Sequence, residues 1–262
     1  DFNSLLTGDE SLLKRPMNRI TVPLNSMGFS IKAQNNGSPP LKISKVNKAS
    51  SIKYQLPIAS AQVKSAILLA ALYANPKTVI VSESVTRNHT ELMLQYFKYP
   101  IQYNDQKIEL STGKLSSIDK LEIPCDFSSA AFLILATILA KNSHIVLKNI
   151  GLNPTRIGFL KILEMMGADI KTTIDQNQFE PYGTIEIKSS QLHGINVPKY
   201  LIPLSIDELP LVFLAAACAK GKTTVRNADE LRLKESDRIK SMKATLTEFS
   251  INVVEHNDGL TI

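Results

Sequence analysis

The sequence has few cysteines and no long apolar run. Of its 262 residues only Cys125 and Cys218 are cysteines, and they stand far apart. Their separation indicates neither a disulfide framework nor a zinc site. The longest apolar stretch, residues 130–140, is too short to span a bilayer. We therefore expect a protein of a reducing compartment, the cytoplasm, that does not insert into a membrane.

Charge of one sign is not concentrated anywhere along the chain. The net charge is +6, from 30 Lys and Arg against 24 Asp and Glu. The basic residues form no block and do not alternate with aromatic residues, which make up 6% of the chain. A nucleic-acid-binding protein is not indicated by this pattern. The positive balance instead suits small anionic ligands.

The length allows one large domain or two of ordinary size. Hydrophobic residues make up 44% and charged residues 21%, which is typical of a globular protein. The chain begins at Asp1 with no initiator methionine and no secretory signal pattern, and we expect an N-terminus that was cut or processed.

One pattern recurs three times along the chain. Segments beginning at Gln62, Asp126 and Asp207 each place a polar residue before an apolar helix rich in small residues, and a strand follows. The wide spacing predicts a large supersecondary repeat and not a solenoid. The second round begins at residues 123–126, where we place the domain boundary.

Periodicity and turn residues predict an alternation of helices and short strands. The predicted helices cover residues 10–27, 62–74, 89–97, 128–141, 157–166, 208–220 and 230–249. The predicted strands cover residues 30–33, 41–43, 78–81, 101–103, 107–110, 120–123, 144–147, 169–172, 184–188, 223–225 and 251–254. Gly28, Gly167 and Gly221 are expected to end the helices before them.

The charged stretch at residues 231–239 is the most informative. Lys234 and Arg238 are four apart, so one face of a helix would present both cations to an anion. Glu235 beside them is a candidate for proton transfer. A solvated charged helix is the ordinary alternative. A second acidic signal, at Asp207, opens an apolar helix.

Several other helix starts have the residue types of anion sites. Ser60 is predicted to cap a helix, with Gln62 in its first turn, and Thr86 to cap another with Arg87 at its start. Asp126 is also predicted to be an N-cap. Ordinary capping and an exposed arginine explain each start equally well when it is taken alone.

Taken together, these segments resemble the 5-enolpyruvylshikimate-3-phosphate synthase family. The matching segments occur in family order at residues 11–28, 60–66, 86–91, 123–132, 207–210 and 231–239. The resemblance implies an α/β, two-domain enolpyruvyl transferase fold, an inside-out α/β barrel of repeated βαβαββ units around buried helices, here partial. Residues 1–123 would belong to the N-terminal lobe and residues 124–262 to the C-terminal lobe, with the anion-binding residues lining the cleft between the lobes.

The same resemblance implies an activity. The family transfers the enolpyruvyl group of phosphoenolpyruvate to the 5-hydroxyl of shikimate-3-phosphate and releases phosphate, without a metal or organic cofactor and as a monomer. The implied roles are phosphoenolpyruvate binding by Arg15, Gln62 and Arg238; shikimate-3-phosphate binding by Ser60, Ala61, Gln62, Arg87, Asp207 and Lys234; and catalysis by Asp207 and Glu235.

The chain departs from the family pattern in several ways. Cys125 replaces a usual glycine, and Asn88 stands where Asp is common. Terminal segments of the family are missing at both ends, so we expect weak shikimate-3-phosphate binding and little or no activity from this stretch alone. Two alternatives stay open: the related UDP-N-acetylglucosamine enolpyruvyl transferase, and a fragment that binds anionic substrates without turnover.

Overall fold

The chain forms two compact units. A computed structural model describes residues 2–46, 48–58, 60–75, 77–81, 85–177, 179–234 and 236–262. Unit 1 is Asp1–Asp119 and unit 2 is Lys120–Ile262. The division lies a few residues before residue 123, and the assignment of the two units to the two lobes stays a prediction.

The α-helices and strands alternate through both units. The α-helices are α1 (Glu10–Leu13), α2 (Asn18–Ser26), α3 (Ala61–Ala71), α4 (His89–Tyr96), α5 (Phe127–Leu139), α6 (Gly158–Met165), α7 (Ile202–Ser205), α8 (Leu209–Cys218) and α9 (Arg238–Glu248). The strands are β1 (Ser4–Leu6), β2 (Ser30–Lys32), β3 (Leu41–Ser44), β4 (Ala49–Ser50), β5 (Lys53–Gln55), β6 (Ala74–Asn75), β7 (Thr78–Val81), β8 (Ile101–Tyr103), β9 (Lys107–Leu110), β10 (His144–Gly151), β11 (Asp169–Asn177), β12 (Pro181–Lys188), β13 (Thr224–Val225), β14 (Val254–His256) and β15 (Gly259–Thr261).

The predicted repeat is confirmed by the order of these elements. In unit 1 the elements β5, α3, β7, α4, β8 and β9 form one βαβαββ round, with the two-residue strand β6, which pairs with β4 in a separate sheet, between α3 and β7. Unit 2 contains two more, α5, β10, α6, β11, β12 and α8, β13, α9, β14, β15. The first strand of each of these is reduced to an isolated parallel bridge, Cys125 to Ile150 and Asn196 to Thr224.

The sheets of the three rounds have the same topology. Their strand orders are β5-β7-β9-β8, β10-β12-β11 and β13-β15-β14. The β5–β7 pair is parallel, and the two strands that follow pair antiparallel as a hairpin. Ile145 faces Ile187 in one sheet, and Val225 faces Leu260 in another. Each sheet therefore offers a face of branched side chains to the helices of its own round.

Glycines end two of the helices as predicted. Gly28 follows α2 with φ of 87°, and Gly167 follows α6 with φ of 95°. In the residue after each glycine, the backbone amide donates to a carbonyl of the last helical turn: Phe29 to the Leu24 carbonyl, and Ala168 to the Leu163 carbonyl. This is the Schellman arrangement, which satisfies the last carbonyls of a helix and needs a left-handed residue. A side chain at either glycine would strain the backbone.

Each unit has its own apolar core. In unit 1 the core gathers around Ile67 and Leu68 of α3. In unit 2 it gathers around Ile134 of α5, Phe159 of α6 and Phe213 of α8, all fully buried. The small-residue helices α3, α5 and α8 found in the sequence therefore supply central core residues, while Leu69 of α3 and Phe132 of α5 are more than half exposed.

Several sequence expectations about elements are wrong. The helix over residues 10–27 is two helices, α1 and α2, because Pro16 disfavours helical backbone at Arg15. Residues 120–123 form no strand, since Pro124 has no amide to donate to a ladder and pairing begins only at Cys125. The strands β10 to β12 are longer than expected.

None of the helices in the described ranges combines the length and the apolar character that crossing a membrane requires.

Phe159 provides a test of the unit 2 core. Phe159→Ala removes a fully buried ring and is expected to lower the free energy of unfolding by about 3–5 kcal/mol. Phe249→Ala is the matched control, because Phe249 is 75% exposed and its loss should cost little. Urea denaturation of both variants measures the difference, and equal effects would contradict this core.

Candidate active site

Asp207 and Lys234 lie together in unit 2. Lys234 Nζ is 3.5 Å from Asp207 Oδ1 and 3.1 Å from Glu230 Oε1. The Lys234 side chain is 23% exposed and that of Asp207 31%, so solvent and small ligands reach the pair. Two residues predicted separately to contact the acceptor substrate are therefore neighbours in space.

The loop that carries Lys234 is not a helix, and the predicted helix over residues 230–249 is wrong here. A 3-10 helix, Asp229–Leu233, ends before it, and α9 begins only at Arg238. Lys234 itself has extended backbone, with φ of −75° and ψ of −165°. Lys234 and Arg238 therefore do not share a helical face. Glu235 lies outside the described residues.

Asp237 explains why the helix restarts. Its Oδ1 accepts a hydrogen bond from the Lys240 amide at 3.0 Å, which makes Asp237 the N-cap of α9. Capping favours a break, because the cap residue must leave helical backbone. Arg238 is the first residue of α9, and it is half-buried.

Arg232 holds the start of this loop. Its guanidinium donates to Asp237 Oδ2 at 2.7 Å and to Glu255 Oε1 at 2.9 Å. It also donates to the carbonyls of His256 and Asn257, both at 2.7 Å. Four bonds from one planar group fix the segments on either side of Lys234 to the β14–β15 hairpin.

The acids around Arg232 have lowered pKa values. For Asp237, desolvation raises the pKa, but the Lys240 amide and the Arg232 guanidinium together hold it below its usual value. For Glu255, the hydrogen bonds from Arg232 and Lys243 lower the pKa. Both carboxylates are therefore held ionised in the folded protein.

In unit 1 the start of α3 carries three predicted ligand contacts. Ser60 Oγ accepts from the Val63 amide at 3.5 Å, which confirms Ser60 as the N-cap. Ala61 is the first helical residue, and Gln62 is exposed. Gln62 Oε1 accepts a hydrogen bond from Arg19 of α2 at 3.3 Å.

Arg87 is tied to the same helix. Lys64 Nζ donates to the Arg87 carbonyl at 2.7 Å and is 2.5 Å from Glu91 Oε1. Ser65 Oγ is 2.6 Å from Thr90 Oγ1. Because these bonds join α3 to the segment before α4, the structure brings Arg87 near the residues that follow Ser60.

Thr86 does not cap α4, and that expectation is wrong. The helix begins at His89, and Asn88 occupies the cap position without a side-chain capping bond. The predicted start of the helix at residue 89 is confirmed, and Lys64 donates to the carbonyl of Arg87, the residue before this cap.

Lys64 is a buried cation. Its residue is 3% exposed, and Glu91 is 2% exposed. Burial lowers the pKa of the Lys64 ammonium, although the Glu91 carboxylate opposes this. Within the described part of the chain, Glu91 Oε2 has no hydrogen-bond partner. A buried ion pair of this kind adds little net stability to the fold, and its main effect is to fix the geometry of the groups that it joins.

Arg15 lies in the turn between α1 and α2. Its amide donates to the Leu12 carbonyl at 3.0 Å, and its side chain is half-buried. It stands four residues before Arg19, which contacts Gln62. Arg15 and Gln62 thus belong to adjoining segments of unit 1.

A second buried ion pair lies beside Asp207. Glu208 is 1% exposed and its Oε2 is 2.5 Å from Arg156 Nη1. Its Oε1 accepts from Ser128 Oγ at 2.7 Å. Asp126 Oδ2 accepts from the Ser129 amide at 2.8 Å, which confirms Asp126 as the N-cap of α5.

Sequence reasoning gave no role to four cations of these networks, namely Arg19, Lys64, Arg156 and Arg232. Three of them lie inside the motif segments, and only their neighbours were given roles. Arg156 had one available signal, since it is a lone cation directly before the apolar helix α6. Its partner Glu208 is distant along the chain, which local patterns do not reveal.

Arg232→Met tests how the loop is held. Because Asp237 and Glu255 have lowered pKa values, the stabilisation is complete above their unfolded pKa of about 4 and is lost as the pH falls through their folded values. The variant should have a lower Tm than wild type at pH 7, and the difference should shrink below about pH 4.

Thermal unfolding across pH measures this. Lys161→Met removes an exposed cation from α6 and serves as the control, with a small effect at every pH. A Tm difference for Arg232→Met that does not change with pH would contradict the role of these ion pairs.

Known proteins match this chain along its whole length. The 3-phosphoshikimate 1-carboxyvinyltransferase of Legionella pneumophila (strain Corby) is 48% identical over 263 residues, with 100% of this chain and 60% of the relative covered. The enzyme of the same name from Methylococcus capsulatus is 42% identical, with 60% of it covered. The chain thus spans about 60% of the length of these curated relatives.

Solved structures agree. An EPSP synthase from Acinetobacter baumannii superposes with a TM-score of 0.86 at 44% identity, covering 100% of this chain and 59% of that one. The enolpyruvyl transferase NikO from Streptomyces tendae has a TM-score of 0.70 at 11% identity and 60% of its chain covered, which shows a shared fold. These matches confirm the fold class expected from the sequence.

The family model described as EPSP synthase (3-phosphoshikimate 1-carboxyvinyltransferase) matches residues 1–262. The resemblance drawn from the ordered motifs is therefore confirmed, and the chain belongs to the EPSP synthase family.

Proposed function

We propose that the protein transfers the enolpyruvyl group of phosphoenolpyruvate to the 5-hydroxyl of shikimate-3-phosphate and releases phosphate. The observation that carries the proposal is the 3.5 Å approach of Lys234 Nζ to the Asp207 carboxylate. The relatives named for this activity, at 42% to 48% identity, support it.

The reaction forms one carbon–oxygen bond and breaks another. The 5-oxygen of the acceptor adds to the enol carbon of phosphoenolpyruvate, a proton reaches the methylene carbon, and phosphate then leaves as that carbon loses a proton. Asp207 is proposed to take the hydroxyl proton and Glu235 to exchange the proton at carbon. Both are carboxyl groups, which suit general acid–base work when they are held near the reacting atoms.

Both substrates are anions, so their approach needs fixed cations and hydrogen-bond donors. We propose that Lys234 shifts from its carboxylate partners onto the acceptor when the acceptor binds. The remaining proposed contacts are Ser60, Ala61, Gln62 and Arg87 for shikimate-3-phosphate and Arg15, Gln62 and Arg238 for phosphoenolpyruvate. Each unit thus supplies part of the proposed contact set.

Three further proposals concern the domain organisation, the oligomeric state and the cellular location of the protein. The two units are proposed to be parts of the N-terminal and C-terminal lobes. The protein is proposed to act as a monomer and in the cytoplasm. For the location, the support is that Cys125 and Cys218 are both free thiols, which suits a reducing compartment.

Phosphate release tests the activity. The protein, expressed at the full length that its gene encodes, should release phosphate from phosphoenolpyruvate when shikimate-3-phosphate is the acceptor. UDP-N-acetylglucosamine is the control acceptor and should give only the background rate. Release with the nucleotide sugar instead would assign the related transferase activity, and tight binding of shikimate-3-phosphate without any release would contradict transfer.

Glu235→Gln tests the proposed proton transfer. The amide keeps the size of the side chain but cannot exchange a proton, so kcat should fall by roughly 10²–10⁴-fold. The KM values for both substrates should change much less, because no ground-state contact is assigned to this charge. Glu248→Gln, an exposed residue of α9, is the control. Near-normal kcat with a steep rise in KM would show that Glu235 binds substrate instead.

A further inference from the structure

Glu208 is fixed in place by two partners inside unit 2. The Glu208 side chain is 2% exposed, and each of its two oxygens has a donor. Oε1 accepts from Ser128 Oγ at 2.7 Å, and Oε2 accepts from Arg156 Nη1 at 2.5 Å. Arg156 Nη2 also donates to the Ser128 hydroxyl, so the three groups close a ring of hydrogen bonds.

This ring joins the starts of three helices. Ser128 lies in the first turn of α5, Arg156 lies just before α6, and Glu208 is the N-cap position of α8. The Arg156 guanidinium also lies 5.9 Å from the centre of the Phe127 ring. The two rounds of the unit 2 repeat are therefore connected at one buried point.

Asp207 is joined to this point by one peptide bond. The position of its carboxylate depends on the backbone at residues 206–208, and the hydrogen-bonded Glu208 restrains that backbone. The Lys234 ammonium lies 3.5 Å from the Asp207 carboxylate. We propose that Glu208, Arg156 and Ser128 are positioning residues that hold the Asp207 carboxylate in register with Lys234.

Stability alone does not account for the pair. Burying two opposite charges gains little net stability, because desolvation offsets the attraction, and apolar replacements of both are often as stable. Glu208 is 1% exposed and Arg156 8%, and they lie next to Asp207, which is proposed to face the reacting hydroxyl. The pair therefore restricts this part of the chain to a single geometry. The inference rests on the proposed function for the role of Asp207.

The test separates positioning from stability by removing one partner and then both. Arg156→Met leaves the Glu208 charge buried without its cation, and Tm should fall by roughly 10 °C. Arg156→Met/Glu208→Met replaces the pair by apolar groups, and Tm should return to within a few degrees of wild type.

In this double variant, expressed at full length, kcat for phosphate release should stay about 10–100-fold below wild type, while KM changes less. Backbone amide hydrogen exchange at residues 204–209 should be faster than in wild type. Lys77→Met/Glu109→Met removes a 2.7 Å ion pair of unit 1 whose side chains are 46% and 21% exposed, and is the control that should alter neither quantity.

Ser128→Ala is the second variant in case the double variant does not fold. It removes one donor to Glu208 and leaves the ion pair, so a smaller fall in kcat and faster amide exchange at residues 204–209 are expected. Wild-type kcat together with wild-type exchange in either folded variant would overturn the positioning role. Absence of phosphate release by the wild type would instead refute the proposed function, and the exchange measurement would then decide the positioning role by itself.

Discussion

The constraint on which this fold depends is the need to cover helices that are apolar around most of their circumference. Of the residues of α5, Ile134 and Ile138 are fully buried, and α8 buries Val212 and Phe213 in the same core. Burial favours such a helix, and each βαβαββ round packs a sheet against part of its surface, while Phe132 and Leu133 of α5 remain more than half exposed. Polar groups are then restricted to the helix ends. This is why Ser60, Asp126 and Glu208 stand at equivalent points of their rounds, and why the candidate site residues gather there.

The structural features that could be predicted from the sequence are those that depend on residues close together along the chain. The apolar helices, the Ser60 and Asp126 caps, and the glycine stops after α2 and α6 all follow from contacts within a few residues. The alternation of helix and hairpin was equally readable, because the period of apolar residues changes with each element. The family motifs added the candidate residues, since their order along the chain is specific.

What could not be predicted depends on partners far along the chain. The loop that interrupts the predicted helix over residues 230–249 is held by Arg232, which bonds to the β14–β15 hairpin, whereas the Asp237 cap of α9 is a local contact that the sequence analysis did not use. The bond from Lys64 of α3 to the Arg87 carbonyl, which replaces the expected Thr86 cap as the contact at this point, joins residues 23 apart along the chain. A propensity rule considers one segment of the chain by itself. It does not include the hydrogen bonds that a cation such as Lys64 makes to the backbone of a segment far away in the sequence.

The Lys64–Glu91 pair restricts how this protein can change over evolutionary time. Either charge left alone at 3% or 2% exposure would be a buried ion without compensation, so single replacements pass through a poorly folded intermediate. The two positions are thus expected to be replaced together in a lineage or not at all. Since Lys64 also binds the Arg87 carbonyl, any paired replacement must find another way to fix that segment. Covariation between positions 64 and 91 in descendants of this sequence would record that history.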